Sequence, residues 1–169
     1  MIAAALHEEV GKASAHAAMA VLTKADLEHA GTDLDAVARK YGVAALVLKK
    51  MIDGALDTVL NACVDNENSP HAPAGQPCRA SFMMCLECPC ARGLPRHLPV
   101  QILVHDRLEA RKAEMTPLQW VQRFAGSKAR LTDVLERHGP AAVDDARAKT
   151  TDGDRAMVAR FLNRELDLR

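Results

Sequence analysis

Between Val64 and Pro77 the chain reads VDNENSPHAPAGQP, a stretch that no regular element can hold. Its prolines remove backbone donors, and its Asn, Asp and Ser side chains compete for the groups that a helix or strand would use. A segment with so few apolar residues cannot build a core to offset the entropy of its own ordering. The flanking sequence offers a means of holding it. Cys63 precedes it, and Cys78, Cys85, Cys88 and Cys90 follow within PCRASFMMCLECPCARG, so that all five cysteines fall inside 28 positions.

Three chemistries compete for such a cluster: a metal site, a redox or nucleophilic centre, and disulfides. Disulfides come last. The odd cysteine count leaves one unpaired, and the opening MIAAALHEEVGK lacks the basic start and unbroken apolar run of a secretory signal, which points to a reducing, cytoplasmic setting. A catalytic thiol needs a base such as His97 or His105 beside it and a lowered pKa, and nothing in the sequence marks one cysteine as different from the others. CLEC has the spacing of a redox CxxC without the βαβ pattern that usually surrounds one.

A metal site fits better. Cys85 and Cys88, two residues apart, can grip one ion from a tight turn, and structural zinc sites combine such a pair with two ligands from elsewhere at Zn–S distances of about 2.3 Å. Cys63 is expected to end a helix and Cys78 to begin a short helical segment, pinning the loop at both ends. The expected Zn2+ ligands are Cys63, Cys78, Cys85 and Cys88, with Cys90 or His71 as alternates. An iron–sulfur cluster is the rival cofactor, although ferredoxin-type runs use closer, repeated pairs.

The remainder reads as helix. Ile2 to Leu22 is Ala-rich and suits one long helix. TKADLEHAG follows with Thr23 as a cap and Gly31 as its end. TDLDAVARKYG has Thr32 or Asp33 as N-cap and Gly42 as C-cap. A single helix is expected across VAALVLKKMIDGALDTVLNAC, burying Leu46, Met51, Ala55, Val59 and Leu60, with Gly54 as a weak point. Pro99 falls in the first turn of a helix carrying Leu103 and Leu108. Thr116 and Pro117 cap and start another, with Leu118, Val121, Phe124, Leu131, Val134 and Leu135 at helical spacing up to Gly139. Two more helices follow, the last burying Met157, Val158, Phe161 and Leu162. No alternating strand pattern competes. The expected fold is all-α in one domain over residues 1–169: N-terminal helices over 1–62, a cysteine-rich, metal-stapled loop over 63–93, and C-terminal helices over 94–169.

Charge narrows the function classes. Lys and Arg number 22 against 22 Asp and Glu, so no global field draws the chain to nucleic acid or membrane. Aromatic residues make up 3%, too few for a base-stacking platform. No apolar run is long enough to span a membrane. Locally, Arg79, Arg92, Arg96, Arg107, Arg111 and Lys112 outnumber Glu87, Asp106 and Glu109, six to three, a surface for DNA phosphates or ordinary solvated helix. LDAVARKYGVAALVLKK has helix-turn-helix rhythm, yet Ala44, Ala45 and Leu46 stand where base-reading side chains belong, so a plain helical hairpin explains it as well. P-loop, Rossmann, HExxH and nucleophile-elbow motifs are absent, and the pairs Asp144–Asp145 and Asp152–Asp154 sit where helix starts favour acids. Neither an enzyme nor a small-molecule substrate is expected.

The Ala-Cys before the Ser-Pro loop, GQPCRASF, CLECPCAR, PRHLPV and the Met-Thr-Pro-Leu-x-Trp helix start together resemble the cysteine-containing C-terminal region of actinobacterial phage-integrase-like proteins of the tyrosine recombinase class. The catalytic core of that class is not matched: the only tyrosine is Tyr41, in ARKYGV, and no His-x-x-Arg occurs. The resemblance implies an accessory domain that associates with DNA, a recombinase or another protein partner, and it implies a structural role for the matching cysteines.

Overall fold

The computed structural model describes residues 19–167, with side chains through Arg164. Most of the expected first helix therefore lies outside the described residues. Its last residues are not helical: Ala20–Val21 form a short strand, β1. After it come α1 (Lys24–Ala30), α2 (Leu34–Lys40) and α3 (Ala45–Ile52). Thr23 closes a capping box with Asp26, and the Asp33 carboxylate accepts from Ala36 N, so local cap chemistry sets both starts. Gly42, at φ +64°, turns the chain from α2 into α3.

The long helix expected over residues 43–63 stops at Ile52. Gly54 takes φ +81°, a left-handed conformation that ends the helix. Arg96 donates to Asp57 and to the Ile52 and Met51 carbonyls, which fixes the turn beyond it. The chain then forms β2 (Ala62–Cys63). Leu60 is still buried, reached from a loop, whereas Leu46 is 64% exposed and outside the core. Cys63 thus ends a strand, and Cys78 lies in irregular chain ahead of a 3-10 helix over Phe82–Glu87.

Strand β3 (Ala91–Gly93) lies between the other two, parallel to β1 and antiparallel to β2, with Arg92 opposite both Ala20 and Ala62. The fold is mostly helical with this small sheet, so the all-α expectation holds only at that coarser level. A 3-10 turn over Pro95–His97 leads into α4 (Leu98–Arg111), which has Pro99 in its first turn as expected. Next come a 3-10 turn over Lys112–Glu114 and α5 (Pro117–Trp120), capped by Thr116 with Gln119. A π-helical turn over Val121–Ala125 runs on into α6 (Gly126–His138). Helices α7 (Pro140–Ala148) and α8 (Asp152–Asp167) complete the chain.

Trp120 and Phe124 are buried, while Leu118 and Val121, expected on the core side, are exposed. Helix α4 is the spine, packed against α6, α7 and α8. The main core joins Leu60, Leu86, Val104, Leu108, Leu131 and Leu162, and a second cluster around Leu22, Val37, Leu48, Met51 and Leu94 seats α1–α3.

Candidate metal centre

The sheet brings chain-distant cysteines together. Cys63 pairs with Ala91 across β2 and β3, and Val64 N donates to Cys90 O at 2.9 Å, so residues 63 and 90 sit side by side. Cys78 N donates to Asn66 O at 2.7 Å, folding the far end of the loop back beside its start. The 3-10 helix carries Cys85 and is anchored by buried Phe82 and Leu86. Cys88 N then donates to Cys85 O at 3.2 Å and Ala91 N to Cys88 O at 3.1 Å, a tight double turn that leads into β3.

At the centre stands Ser69. It is the one buried residue between Ala62 and Phe82, and its Oγ lies 3.7 Å from both Cys78 Sγ and Cys88 Sγ. His71 N donates to the same hydroxyl at 3.2 Å, and the half-buried His71 is thereby held at the margin. Asp65 accepts from Glu67 N and from the Asn68 backbone and side chain, closing a tight turn just after Cys63. The five cysteines are free thiols. Among the described residues no three His, Cys, Asp or Glu side chains stand as a ready-formed metal cage.

The thiols feel one another. Burial pushes Cys85 up to about 12, reinforced by Cys88, Cys63 and Cys78. Burial and the same kind of repulsion from Cys88 and Cys63 push Cys90 up to about 11. Burial likewise raises Cys63, with Cys88 and Cys78 adding to it. Cys63, Cys85 and Cys90 are therefore protonated at neutral pH, the opposite of what an activated nucleophile requires. The two histidines considered as bases are engaged elsewhere. His97 Nδ1 accepts from Leu94 N at 3.1 Å, and His105 Nε2 lies 3.1 Å from Thr132 Oγ1.

Arg92, the central residue of β3, brings a cation to the cluster. It donates to the Pro89, Ala91 and Tyr41 carbonyls, while its Nε is buried without a partner. Burial disfavours its charge, and Cys90, Cys88 and Cys63, when ionised, restore it. A buried N–H left over beside several sulfurs suits a centre in which those sulfurs carry negative charge. The donor set and this orphaned donor both fit a thiolate-bound metal.

The basic residues expected after the cluster do not form one open face. Arg96 is paired with Asp57, and Arg107 and Arg111 with Glu114. Arg92 is spent on carbonyls and Lys112 lies in the field of Glu109, which leaves Arg79 exposed without an acidic partner among the described residues. Sequence reasoning missed Ser69 and the inward role of Arg92, since nothing in a lone serine or arginine announces a contact made through chain folding. Among the described residues no helix is long and apolar enough to cross a membrane. Comparison of the chain with protein families, curated proteins and solved structures finds no match.

Proposed function

We propose that the chain is a non-catalytic accessory module, stapled by a structural zinc ion, that assists recombinase-type DNA transactions through DNA or protein binding. Cys63, Cys78, Cys85 and Cys88 supply the four thiolates. The observation that carries the reading is their proximity: Ser69 Oγ lies 3.7 Å from both Cys78 Sγ and Cys88 Sγ, and Cys63 and Cys85 feel the charge of both those thiols, beside a polar loop with no core of its own. A tetrahedral site requires the four sulfurs to turn toward one point, and Arg92 would offset part of its negative charge. A structural zinc contributes on the order of 10–16 kcal/mol in small peptides near neutral pH, ample to order residues 64–77. The resemblance to integrase-like proteins supplies the DNA-associated setting.

Elemental analysis and an absorption spectrum of the purified protein test the metal. The expected result is about one zinc per chain and no visible colour, both lost in the double variant Cys85→Ser/Cys88→Ser together with protection of the loop. A protein that takes up no metal under reducing conditions, and whose double variant is as stable as the parent, overturns the staple. The fifth thiol favours a second reading. Cys90 stands against Cys88 and Cys63, as a redox-sensing centre with a spare sulfur would have it. Iron with visible absorbance, or a reversible loss of two thiols on mild oxidation, brings that reading forward.

A further inference from the structure

Nearly all the exposed basic side chains that pack near an acid are paired with it: Arg96 with Asp57, Arg107 with Glu114, Arg130 with Glu87 and Arg147 with Asp106. Arg79, Arg160 and Arg164 carry no acidic partner among the described residues, as Arg39 and Lys50 also do not, but these three line one open groove of about 1340 Å³. Arg79 follows Cys78 directly. Arg160 and Arg164 stand one turn apart on the same side of α8, and the Arg160 guanidinium lies 5.5 Å from the Phe161 ring centre, which steadies it. Three guanidiniums lining one groove favour an anionic ligand there.

Asp57, Asp65 and Glu67 line the same groove. Asp57 is paired with Arg96 and flanked by His97, and Asp65 accepts from Asn68 within its own turn while keeping its charge. With Asp57 met by Arg96, three arginines face Asp65 and Glu67 in one lining, a small positive excess. Arginine presents a planar fork that matches phosphate oxygens, and guanidiniums on two separate segments suit successive phosphates of a polymer better than one small anion. Phe82, on the floor, is buried in the core and offers no open ring for an unstacked base.

We propose that Arg79, Arg160 and Arg164 form the contact surface for the phosphate backbone of duplex DNA, in place of the basic residues of α4. This inference rests on the DNA-associated reading above and names its surface. Because Arg79 is joined to a proposed metal ligand, loading the metal fixes one of the three contacts relative to α8.

The test is fluorescence anisotropy of the full chain with a labelled ~20-base-pair duplex over a range of salt. Two variants are compared, Arg79→Ala/Arg160→Ala/Arg164→Ala and Arg107→Ala/Arg111→Ala, both checked for unchanged circular dichroism and metal content. The triple variant is expected to bind about tenfold or more weakly at low salt. Its slope of log affinity against log salt should be shallower by about 2 to 3, at roughly 0.9 per lost phosphate contact. The double variant should match the parent. Duplex binding that the triple variant retains unchanged overturns this surface while leaving the DNA reading in place. No duplex binding by the parent, whether or not it binds polyglutamate, overturns both, and the zinc count then still stands or falls by itself.

Discussion

The α1–α2 corner and the cysteine loop are both short, polar and irregularly connected, yet they are held in different ways. At the corner, Asp26 is buried and accepts from Thr23 N at 2.8 Å and Lys40 Nζ at 2.6 Å, with Tyr41 Oη 2.7 Å away and also 3.0 Å from Val21 O. Burial alone would raise that carboxyl, but the four donors outweigh it and hold it well below the usual range. Beneath lie Leu22, Val37 and Leu48, so the polar network rests on a packed cluster. In the loop the bonds instead run from Asp65 to Asn68 and from His71 to Ser69, and then end on sulfur. Protein groups close the first network. The second is left open toward the thiols, which is where a metal would complete it.

The largest effect expected from that contrast is on local opening. Stripping metal with a chelator under reducing conditions should direct limited proteolysis into residues 64–77, while the corner over residues 23–41 stays resistant. Restored zinc should suppress the cut. Equal cleavage of the loop with and without zinc would break the comparison, because the loop would then be held by hydrogen bonds alone.

What could be read from the sequence follows the same divide. The starts at Thr23, Asp33 and Thr116 and the stop at Gly139 were legible because a cap is a contact between residues three or four apart. The strands were not, because two or three residues leave no alternation to detect and their pairing joins Ala20 and Ala62 to Arg92. Leu118 and Val121 were misplaced because Trp120, four residues before Phe124, takes the inward face they were expected to share. The cysteines stood out as a group by their proximity in the chain. Arg160 and Arg164 did not, since only folding carries α8 to the groove beside Arg79.

A cut into the packed side should show the complementary behaviour. Leu48 is fully buried under the corner, and Leu48→Ala removes a side chain whose loss typically costs about 2–5 kcal/mol through lost burial and the cavity left behind. Urea unfolding should show that loss at the same size in zinc-loaded and zinc-free protein, since Leu48 packs in the second core cluster, which contains none of the cysteines. A loss that depends on metal would mean that the corner and the loop fold as one unit, and the division between them would have to be given up.

The smallest effect lies at the junction where the turn after α3 meets the start of α4. His97 is buried, with Nδ1 accepting from Leu94 N and Nε2 3.1 Å from Asp57 Oδ1. Burial lowers its pKa, opposed by Asp57 and aided by Arg96. Burial, with Arg137 and His97 adding to it, brings His138 down to about 4. Both histidines are neutral in the folded chain at pH 7. In the unfolded chain each takes up a proton near pH 6.5, so stability is full above that value and falls as the pH drops toward the lower folded values. His138 keeps some solvent contact, which limits its share to about 1–2 kcal/mol between pH 6.5 and 4. Acid would also protonate thiolates on the proposed metal, but that loss is common to the parent and to His138→Gln. The difference between their urea midpoints across this window therefore reports His138, and the variant's profile should be the flatter one. Parallel profiles would show that His138 titrates alike in both states, and the junction would then hold the two regions together by packing alone.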